Sequence, residues 1–429
     1  MIWLWLGCAS TGPDTAGPAA DTSGWRDEQG RRVVHRGMNV SNASKSTDDH
    51  LPGLSDGELD LLVTHGITLA RYLVFWEAIE PSEGSYDQAY LDAVQADVAR
   101  LTGRGIEVVL DLHQDVYGEG FGYTGLPRWT CDEAAYEAFE PLGMGWYMDY
   151  ITDEVTGCFD AFWESPELQG AYAAAAGTLA AQLEADPGVI GLEVMNEPFW
   201  GTQEAEDFEL RVLPDFYVTV AAELPERFLV FVEPSVVANL TGETLIELPE
   251  GNWVLAPHFY PTYAELGTGW SGDFEEERAW LEGLLDAADE RDLPFLLGEF
   301  GIFSAQGNEP DYVRSVLDTV TDGLGSTAYW AYDRNDSWAP LTSSGEAGFG
   351  LQGYDRPFLH RFPGTLLSLE HAPFAAEIEV GDSDGIIEVV VPGACTPGEA
   401  GDWDADRRVL SVDAPAGETL RVEVAACGA

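Results

Sequence analysis

Short apolar segments alternate with longer amphipathic segments from about residue 32 to residue 361. Eight of the apolar segments have the length and composition of β-strands: residues 33–40, 68–74, 107–112, 189–195, 228–232, 253–256, 295–297 and 327–332. Amphipathic helices are predicted between several of them, including residues 90–102, 171–184 and 311–322. Strands that alternate with helices predict a parallel α/β fold, and eight strands suffice to close a (β/α)8 TIM barrel. An open, doubly wound sheet is the alternative.

The pattern changes after residue 365, where four short strands are predicted at residues 375–380, 386–391, 407–412 and 419–424. Glycine, proline and aspartate separate them, which is typical of a small antiparallel domain. We therefore predict a (β/α)8 barrel domain over residues 31–365 and a C-terminal β-sandwich domain over residues 366–429. Residues 1–30 are predicted to be an export signal and a flexible tether.

The first eight residues form a short apolar run that ends in Gly7-Cys8, and a stretch rich in Gly, Pro, Thr and Ala follows. This order resembles a bacterial lipoprotein signal, in which the cysteine receives the lipid. We expect a secreted protein or an outer-surface lipoprotein, with Cys8 as the possible membrane anchor. No run of about 18 apolar residues is present, so a membrane-spanning helix is not predicted.

Four further cysteines bear on the same question. Their clustering favours the pairs Cys131–Cys158 and Cys395–Cys427 among the three possible pairings. Disulfides would agree with export to an oxidising compartment, whereas free buried thiols are the alternative.

Charge excludes one class of partner. The chain has 20 basic and 76 acidic residues, a formal net charge of −56. Nucleic acid is not an expected partner, because phosphate binding requires clustered lysine and arginine. Lys45 is the chain's only lysine.

The third connection of the predicted barrel, from residue 114 to about residue 166, is rich in aromatic residues. Twelve of the 47 residues from 117 to 163 are Phe, Trp or Tyr. In a barrel this connection would lie on the C-terminal face, where substrates bind. It would then supply stacking surfaces for sugars and apolar contacts for a lipid tail. A self-packed local core, fastened by Cys131–Cys158, is the other interpretation.

Two glutamates end predicted strands. Glu197 follows the apolar run Leu192-Glu-Val-Met-Asn196, and Pro198 then ends the strand. Glu299 follows Phe295-Leu-Leu-Gly298 and precedes Gly301. Barrel enzymes carry catalytic groups at such strand ends, and glycoside hydrolysis uses two carboxyl groups. Each glutamate alone could equally be an ordinary strand-end ion pair.

These residues resemble glycoside hydrolase family 5, the cellulase-type family, and in particular its endoglycoceramidase branch. Eight positions typical of the family occur in order: Arg71, His113, Asn196, Glu197, His258, Tyr260, Glu299 and Trp330. The string Asp111-Leu-His-Gln-Asp115-Val-Tyr-Gly118, followed by Gly125-Leu-Pro-Arg-Trp129, is typical of the branch. The similarity spans about residues 36–363, and the C-terminal tail is also similar to that branch.

The resemblance implies a retaining β-glycosidase that cleaves between the sugar headgroup and the ceramide of a glycosphingolipid, without a metal or organic cofactor. Glu197 would be the acid/base and Glu299 the nucleophile, with Arg71 and Tyr260 keeping Glu299 ionised. The other substrate-binding positions would be Lys45, His113, Asp115, Asn196, His258 and Trp330.

The same sequence features are compatible with several other functions. An endo-β-1,4-glucanase, a mannanase or a simple β-glucosidase would use the same barrel. A surface carbohydrate-binding protein that has lost turnover is the alternative outside enzymes. A serine esterase would rest on Gly53-Leu-Ser-Asp-Gly57, but no apolar strand precedes that motif.

Overall fold

The computed structural model describes residues 24–236, 238–303, 307–334, 338, 340–397, 401–424 and 427. Within this part of the chain, eight parallel strands form a barrel. Their bounds are Arg36–Val40 (β1), Leu69–Val74 (β2), Glu107–Leu112 (β3), Val189–Glu193 (β4), Leu229–Val232 (β5), Trp253–Leu255 with His258–Phe259 (β6), Leu296–Phe300 (β7) and Ser326–Tyr329 (β8).

Each barrel strand pairs with its neighbour in the sequence, and β8 pairs in parallel with β1 through Thr327 and Arg36. Strand β6 is interrupted at Pro257, which has no N–H to donate. Its first part pairs with β5 and its second part pairs with β7. The barrel is therefore closed, because β6 connects these two strands across the interruption. The prediction of a barrel is therefore confirmed, and the open sheet is excluded.

Helices cover the outside of the barrel. They span Asp56–Thr64, Trp76–Ile79, Gln88–Thr102, Glu133–Ala138, Asp153–Glu164, Pro166–Leu183, Ala205–Asp207, Leu213–Ala221, Ala238–Thr241, Thr262–Glu265, Glu275–Asp289, Glu309–Asp322 and Phe349–Gln352. Short 3-10 turns span Asn42–Lys45, Glu119–Phe121, Arg128–Thr130 and Trp146–Ile151, and a π-turn spans Phe208–Val212. Among the described helices none combines the length and the apolar character that a bilayer span requires.

The helix Gln88–Thr102 shows why these segments are helical. Asp87 accepts hydrogen bonds from the backbone N–H groups of Ala89 and Tyr90, at 2.9 and 3.1 Å, and so caps the helix. Apolar residues at helical spacing, Leu91, Val94 and Val98 among them, are buried against the barrel.

The inner face of the barrel is apolar at its base and polar above it. At the base, Leu69, Val109 and Phe231 form one buried cluster together with Trp25. Side chains alternate along a strand, so the next inward residues lie two positions later. On β2 and β3 these are Arg71 and Asp111, and both are fully buried. The base is thus a packed core, whereas the C-terminal end carries charge.

The C-terminal domain consists of two antiparallel sheets, which confirms the predicted β-sandwich. One sheet contains Arg32–Val33, Phe358–Phe362, Gly385–Val390, Asp402–Asp404 and Val409–Ala414. The other contains Thr365–His371, Phe374–Glu379 and Thr419–Glu423. The first sheet therefore includes two strands that lie before residue 366.

Both predicted disulfides are confirmed, Cys131–Cys158 in the third connection and Cys395–Cys427 in the C-terminal domain. Cys8 lies outside the described residues. In the third connection, Tyr117, Phe121 and Phe159 form edge-to-face contacts in a buried local core. Other residues of the same connection are exposed, such as Trp146 at 45% and Ile151 at 57%. The local core and an aromatic surface are thus both present.

Candidate active site

A buried arginine organises the C-terminal end of the barrel. The guanidinium of Arg71 donates two hydrogen bonds to Glu193, at 2.6 and 2.8 Å, and one to Oε1 of Glu299 at 2.7 Å. It also donates to Oδ1 of Asn39 at 2.7 Å and lies 3.1 Å from Asp111. Burial would lower the pKa of Arg71, but these carboxylates raise it well above its ordinary value. The arginine is therefore a fixed cation.

Glu299, on β7, and Glu197, directly after β4, face each other beside this cation. One carboxylate oxygen of each, together with a ring nitrogen of His258, lie within 4.8 Å of one another. Retaining glycosidases hold their two carboxyl groups about 5–5.5 Å apart, whereas inverting enzymes need about 6.5–9.5 Å to admit a water molecule. The spacing therefore favours the retaining geometry.

Each oxygen of Glu299 accepts a hydrogen bond from a different donor. Arg71 donates to Oε1 at 2.7 Å, and the hydroxyl of Tyr260 donates to Oε2 at 2.9 Å. The side chain is almost buried, with 6% exposed. Two fixed donors hold the carboxylate in one orientation, which suits a nucleophile that must attack along one line.

The contacts of Glu197 are arranged differently. Asn239 Nδ2 donates to Oε1 at 2.9 Å, and Nδ1 of His258 forms a hydrogen bond with the same oxygen at 3.0 Å. Among the described residues, Oε2 has no hydrogen-bond partner. The backbone N–H of Glu197 donates to Oε1 of Glu233 at 3.0 Å. Only one oxygen of this carboxyl group is thus left to meet a substrate.

His258 lies below both glutamates. Nδ1 contacts Glu197, and it lies 3.6 Å from Oε2 of Glu299, while Nε2 lies 3.1 Å from Oε1 of Glu233. Burial lowers the pKa of the imidazole, but Glu233 and Glu299 outweigh burial and raise the pKa well above its ordinary value. Burial also raises the pKa of Glu233. Burial thus favours the protonated form of Glu233, and the neighbouring carboxylates favour the protonated form of His258.

A second polar group surrounds Trp330, at the end of β8. The ring of His113 stacks on Trp330 at 5.4 Å, and Lys45 Nζ lies 4.3 Å above the Trp330 ring. Lys45 also lies 2.7 Å from Oδ2 of Asp115. Burial would raise the pKa of Asp115, but Lys45 and His113 lower it overall. His113 is held by Asp111, 2.7 Å from its Nδ1.

Both catalytic glutamates and the group around Trp330 line one cleft of about 980 Å3. Its polar side chains come from nearly every strand end of the barrel: Asn42, Lys45, His113, Asp115, Tyr123, Asn196, Glu197, Asn239, Tyr260, Thr262, Glu299 and Asp333. Its apolar side chains come chiefly from the rest of the third connection and from the connections after β4 to β7, namely Trp146, Tyr147, Met148, Ile151, Phe199, Trp200, Val236, Leu266 and Phe303. The cleft thus combines the polar groups of the site with a large apolar lining.

The structure brings together all ten predicted site residues. Eight of them line the cleft, whereas Arg71 and His258 lie beneath its floor. Sequence reasoning missed Asn39, Glu193, Glu233 and Asn239. A signal existed for Glu233, because it ends an apolar strand as Glu197 and Glu299 do. Asn239 belongs to a short helix, and no sequence pattern pointed to it.

Two groups of side chains offer the donor types of a metal site, Glu197 with His258 and Glu299, and His258 with Glu193 and Glu233. In each group the guanidinium of Arg71 already contacts one of the carboxylates, at 2.7 Å from Glu299 and 2.6 Å from Glu193. A metal cation bound by either group would be repelled by this arginine, so the donor set does not fit one.

Comparison with known proteins agrees with this geometry. The model of the cellulase family, glycosyl hydrolase family 5, matches residues 27–336. Endoglycoceramidase I of Rhodococcus hoagii is 28% identical over 361 residues, which cover 77% of this chain and 70% of that protein.

Solved structures extend the likeness to both domains. Endo-glycoceramidase II from a Rhodococcus species is 27% identical, with a TM-score of 0.84 over 95% of this chain and 100% of that chain. That enzyme has also been solved with ganglioside GM3 and as a lactosyl-enzyme intermediate. An endogalactoceramidase, 22% identical with a TM-score of 0.77 over 94% of this chain and 98% of that chain, shares the fold.

Proposed function

The chain belongs to glycosyl hydrolase family 5, and we propose that it is a retaining β-glycosidase that cleaves glycosphingolipids between the sugar headgroup and the ceramide. The endoglycoceramidases of Rhodococcus are the relatives that support this substrate. The site holds the two carboxyl groups that retaining glycoside hydrolysis requires.

One observation carries the choice of substrate. The catalytic carboxyl groups line a cleft that combines polar side chains with a large set of apolar ones. A glycolipid combines the same two features, with hydroxyl groups on one side of the scissile bond and hydrocarbon on the other. A cellulose or mannan chain has sugars on both sides of that bond. It would leave the apolar set, which includes Leu266, Ile151 and Phe303, without matching contacts.

The first step forms a covalent glycosyl-enzyme. Glu299 attacks the anomeric carbon while the bond to the ceramide oxygen breaks, and Glu197 transfers its proton to that oxygen. Arg71 and Tyr260 aim the attacking carboxylate. Since Oε1 of Glu197 accepts two hydrogen bonds, Oε2 is the oxygen that carries the transferred proton.

The second step restores the enzyme. Glu197, now ionised, takes a proton from water, and the oxygen of that water attacks the anomeric carbon and displaces Glu299. The sugar is released with the configuration that it had in the lipid. Both steps use the same oxygen of Glu197, because Asn239 and His258 continue to occupy the other.

The remaining predicted residues bind the sugar. Asn196 accepts from Arg71 through Oδ1 and donates one amide hydrogen to the carbonyl oxygen of Gln114, at 2.9 and 3.0 Å. Its second amide hydrogen is directed by these contacts and would meet the sugar 2-hydroxyl. The Trp330 ring offers a stacking face. Lys45 and Asp115 supply a charged donor and a charged acceptor for hydroxyl groups of the same sugar.

The test is release of glycan from a panel of glucosyl-, lactosyl-, GM3- and galactosylceramide in detergent micelles. Carboxymethylcellulose and mannan serve as polysaccharide controls, and Glu299→Gln as the inactive variant. We expect ceramide release by the wild type and none by the variant. Hydrolysis of the polysaccharides without ceramide release would refute the proposed substrate.

We also propose that the protein is exported and is held at a bacterial membrane surface by a lipid on Cys8. Two disulfides within the described residues support an oxidising compartment. Labelling of cells with a fatty-acid analogue should mark the wild type and spare Cys8→Ser. An unlabelled wild type that is recovered from the cytoplasm would contradict both parts of this proposal.

A further inference from the structure

A third glutamate lies beneath the catalytic pair. Glu233 directly follows β5, and its side chain is fully buried. Its Oε1 lies 3.0 Å from the backbone nitrogen of Glu197, 3.1 Å from Nε2 of His258 and 3.6 Å from the guanidinium of Arg71. One oxygen therefore contacts the backbone of the acid/base, the histidine below it and the arginine that holds the nucleophile.

The first contact bears on the backbone of Glu197. This residue has a φ of +44°, in the left-handed region that residues with a side chain rarely occupy. Its N–H donates to Glu233, and its carbonyl oxygen accepts from Gln114 Nε2 at 3.0 Å. The two hydrogen bonds hold both sides of the residue in this conformation.

The second contact bears on where the acid proton lies. Asn239 donates to Oε1 of Glu197 at 2.9 Å, and Nδ1 of His258 lies 3.0 Å from the same oxygen, to which it donates only when it carries a hydrogen. If Glu233 is ionised, Nε2 is protonated and His258 is a cation that keeps hydrogen on both nitrogens. If Glu233 is protonated on Oε1, an unprotonated Nε2 faces that hydroxyl 3.1 Å away, and the neutral imidazole again carries its hydrogen on Nδ1. Either state leaves Oε2 of Glu197 for the transferred proton.

We propose that Glu233 is a positioning residue, which fixes the hydrogen on Nδ1 of His258 and so directs the acid proton of Glu197 to Oε2. This inference rests on the proposed glycosidase function. An amide cannot replace the carboxyl group. If its oxygen accepts from the N–H of Glu197, the same oxygen can only accept from Nε2. The neutral imidazole then loses its hydrogen from Nδ1, and Glu197 donates its proton to that nitrogen instead of to the substrate.

The test compares aryl β-lactosides whose leaving groups differ in their need for a proton. Dinitrophenolate departs without protonation, whereas phenolate and alkoxide need it. For Glu233→Gln we expect kcat/KM to fall on the order of 10²-fold with the phenyl substrate, the lower end of general acid catalysis, and to change little with the dinitrophenyl substrate. Glu233→Asp keeps the negative charge but shortens the side chain, which moves its oxygen away from His258 and from the N–H of Glu197. This variant therefore tests the positioning role of Glu233 if the amide variant does not fold.

Glu107→Gln is the matched control. Glu107 is paired with His35 and Arg361 at the base of the barrel, so its loss should affect stability and leave the ratio between the two substrates unchanged. Equal losses on both substrates in the Glu233 variants, or no loss, would overturn the inference. A wild type that hydrolyses neither lactoside nor any ceramide glycoside would instead refute the proposed function itself.

Discussion

The chain's only lysine gives the sharpest test of the sugar-binding residues. Lys45→Met keeps most of the side-chain volume and removes the charge. The variant loses the contact of Nζ with Asp115 at 2.7 Å and its position 4.3 Å above the Trp330 ring. Among the described residues, His113, 3.7 Å away, is then the remaining ion-pair partner of Asp115. The perturbation is thus confined to the contacts around Lys45, Asp115 and Trp330.

The expected loss follows from the kind of contact. A hydrogen bond to a charged group contributes about 1.5–3 kcal/mol, and about 1.4 kcal/mol corresponds to a tenfold change. Removing the charged donor should therefore lower kcat/KM about 10- to 150-fold. In the wild type, Lys45 and His113 lower the pKa of Asp115. The pKa of Asp115 should rise in the variant, because the burial of its carboxylate is then less compensated by positive charge.

Steady-state kinetics with an aryl β-lactoside and with lactosylceramide measure the loss. An amine-acylating reagent supplies an independent assay. Because Lys45 is the only lysine, the reagent can acylate only Lys45 and the N-terminal amine. We expect acylation to inactivate the wild type, lactose to protect it, and the residual activity of Lys45→Met to be insensitive. A wild type that keeps full activity with Lys45 acylated, as mapped by mass spectrometry, would refute the assignment.

Three further predictions follow from other contacts. Glu197→Gln should lose about 10²- to 10⁴-fold in kcat/KM with a phenyl glycoside, whereas with a dinitrophenyl glycoside azide, which needs no general base, should restore its turnover; glycosyl azide is the product to detect. Replacing Cys131 and Cys158 by serine opens a loop of 27 residues, so thermal unfolding should show a loss of about 3–4 kcal/mol, and an unchanged Tm would contradict it. Burial raises the pKa of Glu77 to about 8, so its contribution to stability is greatest below about pH 4.5 and is lost as the pH rises through 8. The Tm of Glu77→Gln should therefore fall less between pH 6 and pH 9 than that of the wild type, and parallel curves would disprove it.

The barrel could be predicted because each strand carries its own apolar signal. The strand Glu107–Leu112 has the bounds that the sequence indicates, and Leu69–Val74 differs by one residue. The helix predicted at 171–184 begins earlier, at Pro166. Its first turn contains the polar residues Glu167 and Gln169, so the helical spacing of apolar residues becomes visible in the sequence only after the helix has begun. Ser165, which caps the helix by accepting from Leu168 N–H at 3.2 Å, was the signal for its start.

Other strands were missed because tertiary contacts form them. Phe358–Phe362 contains His360 and Arg361, which are typical of a loop by sequence alone. The structure buries Arg361 in ion pairs with Glu107 and Glu388, at the contact between the two domains. Thr365–His371 is an edge strand whose side chains are mostly exposed, so it carries no apolar pattern.

In the candidate site, too, some residues carry a local sequence signal and others are placed only by tertiary contacts. Glu197 and Glu299 were predictable because each ends an apolar strand within a recognisable string. Asn239 was not, since its contact with Glu197 joins a short helix after β5 to the end of β4. The distance between two strand ends depends on barrel closure, which no local pattern encodes.

The central claim is that Glu299 bonds covalently to the sugar. A 2-deoxy-2-fluoro-β-lactoside with a dinitrophenolate leaving group slows both steps but keeps the first one faster, so that the intermediate accumulates. Peptide mass spectrometry should find one fluorolactosyl group on the peptide that contains Glu299, and none in Glu299→Gln. Hydrolysis without an adduct and with inverted anomeric configuration, or an adduct on another residue, would contradict the account.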